Sequence, residues 1–165
     1  MKLFIIGVVA SGKTTLAKKL SGEYHIPWYE GDCIAHKDDE TGRYKRTEAE
    51  QIAIIQQIDL QDSWIIEGTP RNSQKILLDL SDRIIFLDPP LPVRKRRIFF
   101  RYLKQKLGIE KSHYKPDLAM LKAMYRWTSE FEKGRTSFEE DLSRYGDKII
   151  RIQYDHELEQ KNLFS

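Results

Sequence analysis

The sequence predicts an α/β protein in three layers: a five-stranded parallel sheet with helices on both faces. Three observations predict it. Short apolar runs, each closed by glycine or proline, recur along the chain, as strands buried on both faces require. Segments with helical spacing alternate with these runs about five times, which is the order of a parallel sheet with crossover helices. No internal repeat, low-complexity tract or linker interrupts the 165 residues, so residues 1–165 are expected to form one domain.

The elements follow in order. Residues 3–6 form a strand ending at Gly7, and residues 13–20 a helix closing near Gly22. Residues 26–29 are a weaker strand interrupted by Pro27. Thr47 and Glu50 make a capping box for a helix that turns Ile52, Ile55 and Ile58 inward. Residues 63–67 are a strand stopped by Gly68 and Pro70, residues 76–80 a short helix, and residues 83–87 the clearest strand, broken by Pro89 and Pro90. A helix over 91–107 leads into a polar connection at about 108–116. Pro116 opens a long helix that Gly134 is expected to break, with Ser137 and Glu140 capping its continuation. Residues 148–152 form the last strand, and 153–165 a polar tail.

Composition narrows the class. An apolar fraction of 40% and a charged fraction of 32% are those of a globular chain. No apolar run approaches the ~20 residues of a membrane span, and the basic-then-apolar start is too short for a signal segment. Cys33 is the only cysteine, so no intrachain disulfide or four-cysteine zinc site can form. A cytoplasmic protein without membrane partners is expected, as a monomer or homodimer. His25, His36, His113 and His156 have no metal-ligand spacing. The net charge of +3 is mild, yet Arg94, Lys95, Arg96, Arg97, Arg101, Lys104 and Lys106 crowd one segment.

The strongest motif is Gly7-Val8-Val9-Ala10-Ser11-Gly12-Lys13-Thr14, a GxxxxGK[ST] loop of the Walker A kind, placed between a buried strand and a helix. Backbone N–H groups in that setting converge on phosphates at the positive end of the helix dipole. Lys13 is expected to reach the β- and γ-phosphates of a nucleoside triphosphate, and the Thr14 hydroxyl to ligate Mg²⁺. Residues 7–15, with Thr15 as the last, therefore form the expected ATP site of a P-loop NTPase fold.

Strand 63–67 leads into Glu67-Gly68-Thr69-Pro70-Arg71, at the sheet edge where open α/β folds bind ligands. A carboxylate there can organise the waters of a cation, and an Arg can fork onto two phosphate oxygens. On a helix, Arg94, Arg97, Arg101 and Lys104 fall within one arc, beside an apolar stripe of Phe99, Leu103 and Leu107. Such a face serves either a transferring phosphoryl group or a nucleic-acid backbone. Asp88 ends an apolar strand and reads equally as a metal-organising acid or a turn cap. Asp32 reads as a ligand for an acceptor hydroxyl or as a cap. Trp28, Trp64 and Trp127 belong to the core or its edge, with Trp28 also where an acceptor base could stack. Cys33 is expected to be packed.

These motifs resemble those of the adenylate-kinase-like nucleotide kinases, from about residue 3 to residue 152. Within that superfamily the chain is most similar to the small bacterial FlaR-related proteins labelled DNA topology modulation proteins. The similarity lies in the glycine loop, Asp32, Trp64 to Gly68, Ile84 to Asp88 with its following proline, and the arginine-rich helix. The resemblance implies that Glu67 holds the magnesium shell and Arg71 grips the acceptor phosphate. It implies that Arg97 and Arg101 lie over the adenine and at the transferring phosphate. It also implies a short lid at about 108–116, with Arg126 and Arg135 on the lid side, as phosphate contacts or as surface residues. Val8 and Val9 depart from the small residues or proline usual in the loop, and Glu67 and Thr69 from the usual Asp and aromatic. The resulting expectation is an ATP- and Mg²⁺-dependent phosphotransferase with Lys13, Arg97 and Arg101 as catalytic residues. Asp32, Glu67, Arg71 and Arg126 would face a small acceptor such as a nucleoside monophosphate. The alternatives are a nucleotide-regulated DNA-binding protein and a slow NTP hydrolase.

Overall fold

The computed structural model describes residues 1–40, 42–69, 71–109, 116–154 and 157. Five strands make one parallel sheet: β1 (Lys2–Gly7), β2 (Trp28–Glu30), β5 (Trp64–Gly68), β6 (Arg83–Leu87) and β7 (Ile149–Ile152), in the order β2-β5-β1-β6-β7. Alternate side chains along β1 feed two cores. Leu3 and Ile5 join Leu16, Ala17 and Leu20 of helix α1 (Lys13–Tyr24). Phe4 and Ile6 join Ile55, Ile58, Trp64, Leu77 and Leu142 on the other face. Those residues come from β5 and from α3 (Glu48–Asp59), α4 (Ile76–Leu80) and α6 (Leu118–Ser143). The expected sheet with helices on both faces is therefore observed. Register places Gly68 opposite Ile6 and Leu87 opposite Gly7, so three strands end together around the glycine loop.

The capping box is present: Thr47 N donates to Glu50 at 2.7 Å and Glu50 N to Thr47 Oγ1 at 3.3 Å. Ile55 and Ile58 are buried and Ile52 half-buried. Three boundaries differ from the sequence expectation. Helix α1 runs through Gly22 and stops at His25, which takes a left-handed φ of 56°. Pro27 delays β2 to Trp28, while its carbonyl accepts from Ile65 N at 2.9 Å. Helix α6 starts from Asp117, whose carboxylate accepts from Met120 N at 2.8 Å, and Gly134 does not break it. An interior glycine costs about 1 kcal/mol. Phe131 and Phe138 pack on the sheet core on either side of it, and that burial outweighs the cost.

Two elements were not expected. Helix α2 (Gly31–Ala35) follows β2 directly, and β3 (His36–Asp39) pairs with β4 (Gly42–Lys45) in a separate antiparallel hairpin. The hairpin has no apolar alternation to reveal it. Arg46 secures its base by donating through Nη1 to the carbonyls of Cys33, Ile34 and His36 at 2.6–3.1 Å. The first two are carbonyls at the end of α2, where a helix leaves them without an intrahelical partner, and the third opens β3. Helix α5 (Leu91–Lys106) packs along α6. Of the expected lid, residues 110–115 lie outside the described residues, as does most of the expected tail.

Candidate phosphate-binding and acceptor site

The glycine loop leaves β1 at Gly7 and enters α1 at Gly12. A Cβ on Gly7 would meet Leu87 O and Ser11 Oγ, each at 2.6 Å, so only glycine fits against β6. Gly12 holds a left-handed φ of 104° as the N-cap residue of α1, a conformation glycine adopts at little cost. Val8 and Ser11 are buried, and Ser11 N donates back to Val8 O at 3.2 Å. Thr15 is exposed on the first turn of α1.

The functional side chains gather on this loop. Lys13 Nζ donates to Val8 O at 2.9 Å. Thr14 Oγ1 donates to Glu67 Oε1 at 2.8 Å, joining the two expected metal residues. Arg97 Nη1 donates to Ser11 O at 3.0 Å. Arg71 Nη2 meets Asp32 Oδ1 at 2.5 Å, joining two residues expected at the acceptor. Thr69 Oγ1 ties the turn after β5 to Gly7 O at 3.3 Å.

Electrostatics makes these one cluster. Burial lowers the Lys13 pKa against the opposing pull of Glu67 and Asp32, while the Arg101 and Arg71 charges lower it further. Burial raises the Glu67 carboxyl, opposed by Lys13 and the Thr14 hydrogen bond and supported by Glu30 and Asp32. Glu30 stands opposite Glu67 across the β2–β5 ladder. Its signal in the sequence was only its place at a weak strand end before Gly31-Asp32. Gln74, fully buried, was also missed; its Nε2 donates to Gly31 O at 2.8 Å and braces the segment that carries Asp32.

Magnesium fits the site's donors. A hydroxyl and a carboxylate beside a phosphate loop suit a cation that keeps most of its waters and takes phosphate oxygens. Among the described residues no group of three or more His, Cys, Asp or Glu could hold a metal, so Thr14 and Glu67 are the candidate ligands.

Several expected residues lie elsewhere. Arg94 is fully buried rather than on the basic face, paired with Glu132 and donating through Nε to Pro89 O at 2.9 Å. Packing of α6 against α5 encloses it and sets it over the Phe131 ring. Arg135 is engaged by carboxylates. Its Nη1 and Nη2 each donate to Asp88 at 2.9 Å, and it also binds Glu132 and Glu139. Asp88 is thus clamped by Arg135 and by Arg151, whose Nε donates at 3.0 Å. Burial pushes the Asp88 carboxyl up, and the Arg135 and Arg151 hydrogen bonds more than offset it, leaving it below the usual range. Arg126 is exposed, its Nε 3.7 Å from Glu130 one turn along α6.

Trp64 is fully buried in the core. Trp28 packs beside α1 under Lys18 Nζ, 5.4 Å from its ring, away from a stacking role, and Trp127 is exposed. Cys33 is exposed rather than packed.

No protein-family model matches the chain, and no curated protein is similar to it. Among solved structures, an uncharacterized protein from Eubacterium ventriosum ATCC 27560 aligns at TM-score 0.52 and 20% identity, over 93% of this chain and 89% of that one. That likeness speaks for the fold. A gluconokinase from Sinorhizobium meliloti 1021 aligns at TM-score 0.46 and 15% identity, over 86% of this chain and 95% of that one. A shikimate kinase from Aquifex aeolicus vf5 aligns at TM-score 0.46 and 16% identity, over 93% and 85%.

Proposed function

We propose that the protein transfers the γ-phosphoryl group of ATP to a small acceptor, a nucleoside monophosphate or another small molecule carrying an anionic group and a hydroxyl. The observation that carries this reading is the convergence of two differently built walls at one loop. Lys13, the Thr14–Glu67 pair and Arg97 suit a triphosphate, and the Asp32–Arg71 pair suits an acceptor beside it.

Lys13, released from the Val8 carbonyl by a better acceptor, would neutralise charge on the β- and γ-phosphates. Arg97 and Arg101 would stabilise the equatorial oxygens of the group in flight. Bound Mg²⁺ would supply charge neutralisation between the phosphates, with Thr14 and Glu67 holding it or its waters. Asp32 would accept from an acceptor hydroxyl, and Arg71 would fork onto the acceptor anion. Positioning and electrostatics suffice, without a covalent enzyme intermediate.

The resemblance to adenylate-kinase-like nucleotide kinases and to the DNA topology modulation proteins is consistent with this assignment of Glu67, Arg71, Arg97 and Arg101. The DNA-binding alternative is weakened by the burial of Arg94 and the turn of Arg97 to the loop, which remove two cations from the face it requires.

The test is ADP formation from MgATP across a panel of nucleotides, nucleosides and small metabolites. One acceptor class should raise turnover well above the acceptor-free rate, and Lys13→Ala should lower that turnover by a factor on the order of 10³. Unchanged turnover in Lys13→Ala would sink the assignment.

A further inference from the structure

The apolar stripe beside the basic residues of α5 finds no place in the core. Phe99 is 45% exposed, Phe100 53%, Leu103 36% and Leu107 73%, and Ile109 just beyond the helix is 71% exposed. The buried side of α5 is instead made by Arg94, Ile98, Tyr102 and Gln105. With successive residues turning by about 100°, Phe99, Leu103, Leu107 and Phe100 fill one continuous arc roughly 100° wide on the opposite side. Lys95 and Lys106 border one edge of that arc, Lys104 the other, and Arg96 lies within it, all exposed. Helix α5 contains no acidic residue. Its outer surface is therefore an aliphatic and aromatic ridge framed by cations.

We propose that this ridge docks on an anionic lipid bilayer, with Phe99, Phe100, Leu103 and Leu107 entering the headgroup boundary and the flanking lysines at the lipid phosphates. Charge decides against a second copy, because pairing two such faces would set cation against cation with no carboxylate on either helix. Shape and chemistry decide against a nucleic acid. The surface is a convex ridge where a strand-binding groove would be concave, and three of its five apolar side chains, Leu103, Leu107 and Ile109, have no ring to stack on bases. A bilayer accepts a convex apolar ridge by insertion, and long basic side chains at its edges reach the headgroups while their stems stay on apolar surface. Surface potential draws such a basic face to anionic lipid, within about a Debye length.

The full chain is sedimented with vesicles of phosphatidylcholine alone and of phosphatidylcholine with about a third phosphatidylglycerol. Binding to the anionic vesicles is expected to exceed binding to the neutral ones by at least about tenfold and to fall as salt rises. F99S/L107S is expected to weaken it about tenfold or more, and Arg96→Glu to weaken it as well. Leu60→Ser, at an exposed leucine ending α3, should leave it unchanged. Because all these positions are exposed, thermal melts are expected to overlay the parent's. Three results overturn the proposal: equal binding to both vesicles or to neither, loss of binding in Leu60→Ser equal to that in F99S/L107S, and displacement from anionic vesicles by a single-stranded oligonucleotide whose own binding depends on Phe99 and Leu107. The last would assign the ridge to nucleic acid.

Discussion

The Arg71 guanidinium lies 2.5 Å from the Asp32 carboxylate, joining the turn after β5 to the start of α2, and both charges act on Lys13. Both side chains are partly exposed, so the pair itself contributes about 0–1 kcal/mol to stability. On the proposed function, the two side chains are the acceptor contacts. Arg71→Ala is expected to raise KM for the acceptor by about 10–100-fold, the effect of losing a charge-assisted fork, while KM for MgATP moves little. Steady-state kinetics with each substrate varied in turn checks this, and an equal rise in both KM values would contradict it.

Glu67 is expected to trade stability for function. Its carboxyl is raised by burial, so the folded state holds its proton more tightly than the unfolded chain does. The contribution to stability is present below the ordinary glutamate range and is lost as pH rises through the raised value. Glu67→Gln should therefore melt higher at neutral pH, by roughly 1 kcal/mol or about 2–4 °C. It should also need more Mg²⁺ and turn over at least about tenfold more slowly. Melting curves and a magnesium titration of activity give the two readouts.

Asp88 has the opposite sign. Its folded pKa is depressed by Arg135 and Arg151, so its stabilisation is present above the ordinary aspartate range and is lost as pH falls through the lower folded value. Asp88→Asn is expected to cost about 1–3 kcal/mol in urea unfolding at neutral pH, since it takes the charge from the buried acceptor of the Arg135 and Arg151 hydrogen bonds. The magnesium dependence of the remaining folded enzyme should match the parent's. A shifted magnesium requirement would make Asp88 a metal residue after all.

Two glycines should separate cleanly. Gly134 sits exposed in α6, where an added Cβ meets nothing within 4 Å, so Gly134→Ala should stabilise by about 0.5–1 kcal/mol. Gly12 holds a φ of 104° beside Arg97, so Gly12→Ala should strain the loop and abolish MgATP binding by calorimetry. A fully active Gly12→Ala would contradict the loop's assigned role.

The legible parts of the fold were those with strong local signals. Strand 83–87 and the Thr47–Glu50 box were read as they stand, because an apolar run and a reciprocal cap are determined by adjacent residues. Gly134 misled because a residue's cost in isolation says nothing of the packing of Phe131 and Phe138 around it. The β3–β4 hairpin left no trace because its residues are polar on both faces. At the candidate site, spacing singled out Lys13, Thr14, Glu67 and Arg71, and the structure brings them together, because their separations reflect a loop and a strand end. Helical spacing also grouped Arg94 with Arg97. It could not show that α6 covers the first and leaves the second to the loop, because that depends on Glu132, 38 residues further on.

The most direct measurement follows the γ-phosphate itself. With γ-labelled ATP, Mg²⁺ and the acceptor that raises ADP formation, the label should appear in a phosphorylated acceptor in one-to-one ratio with ADP, and Lys13→Ala should abolish that product. Label appearing only as inorganic phosphate, with or without acceptor, would contradict phosphoryl transfer and leave a hydrolase.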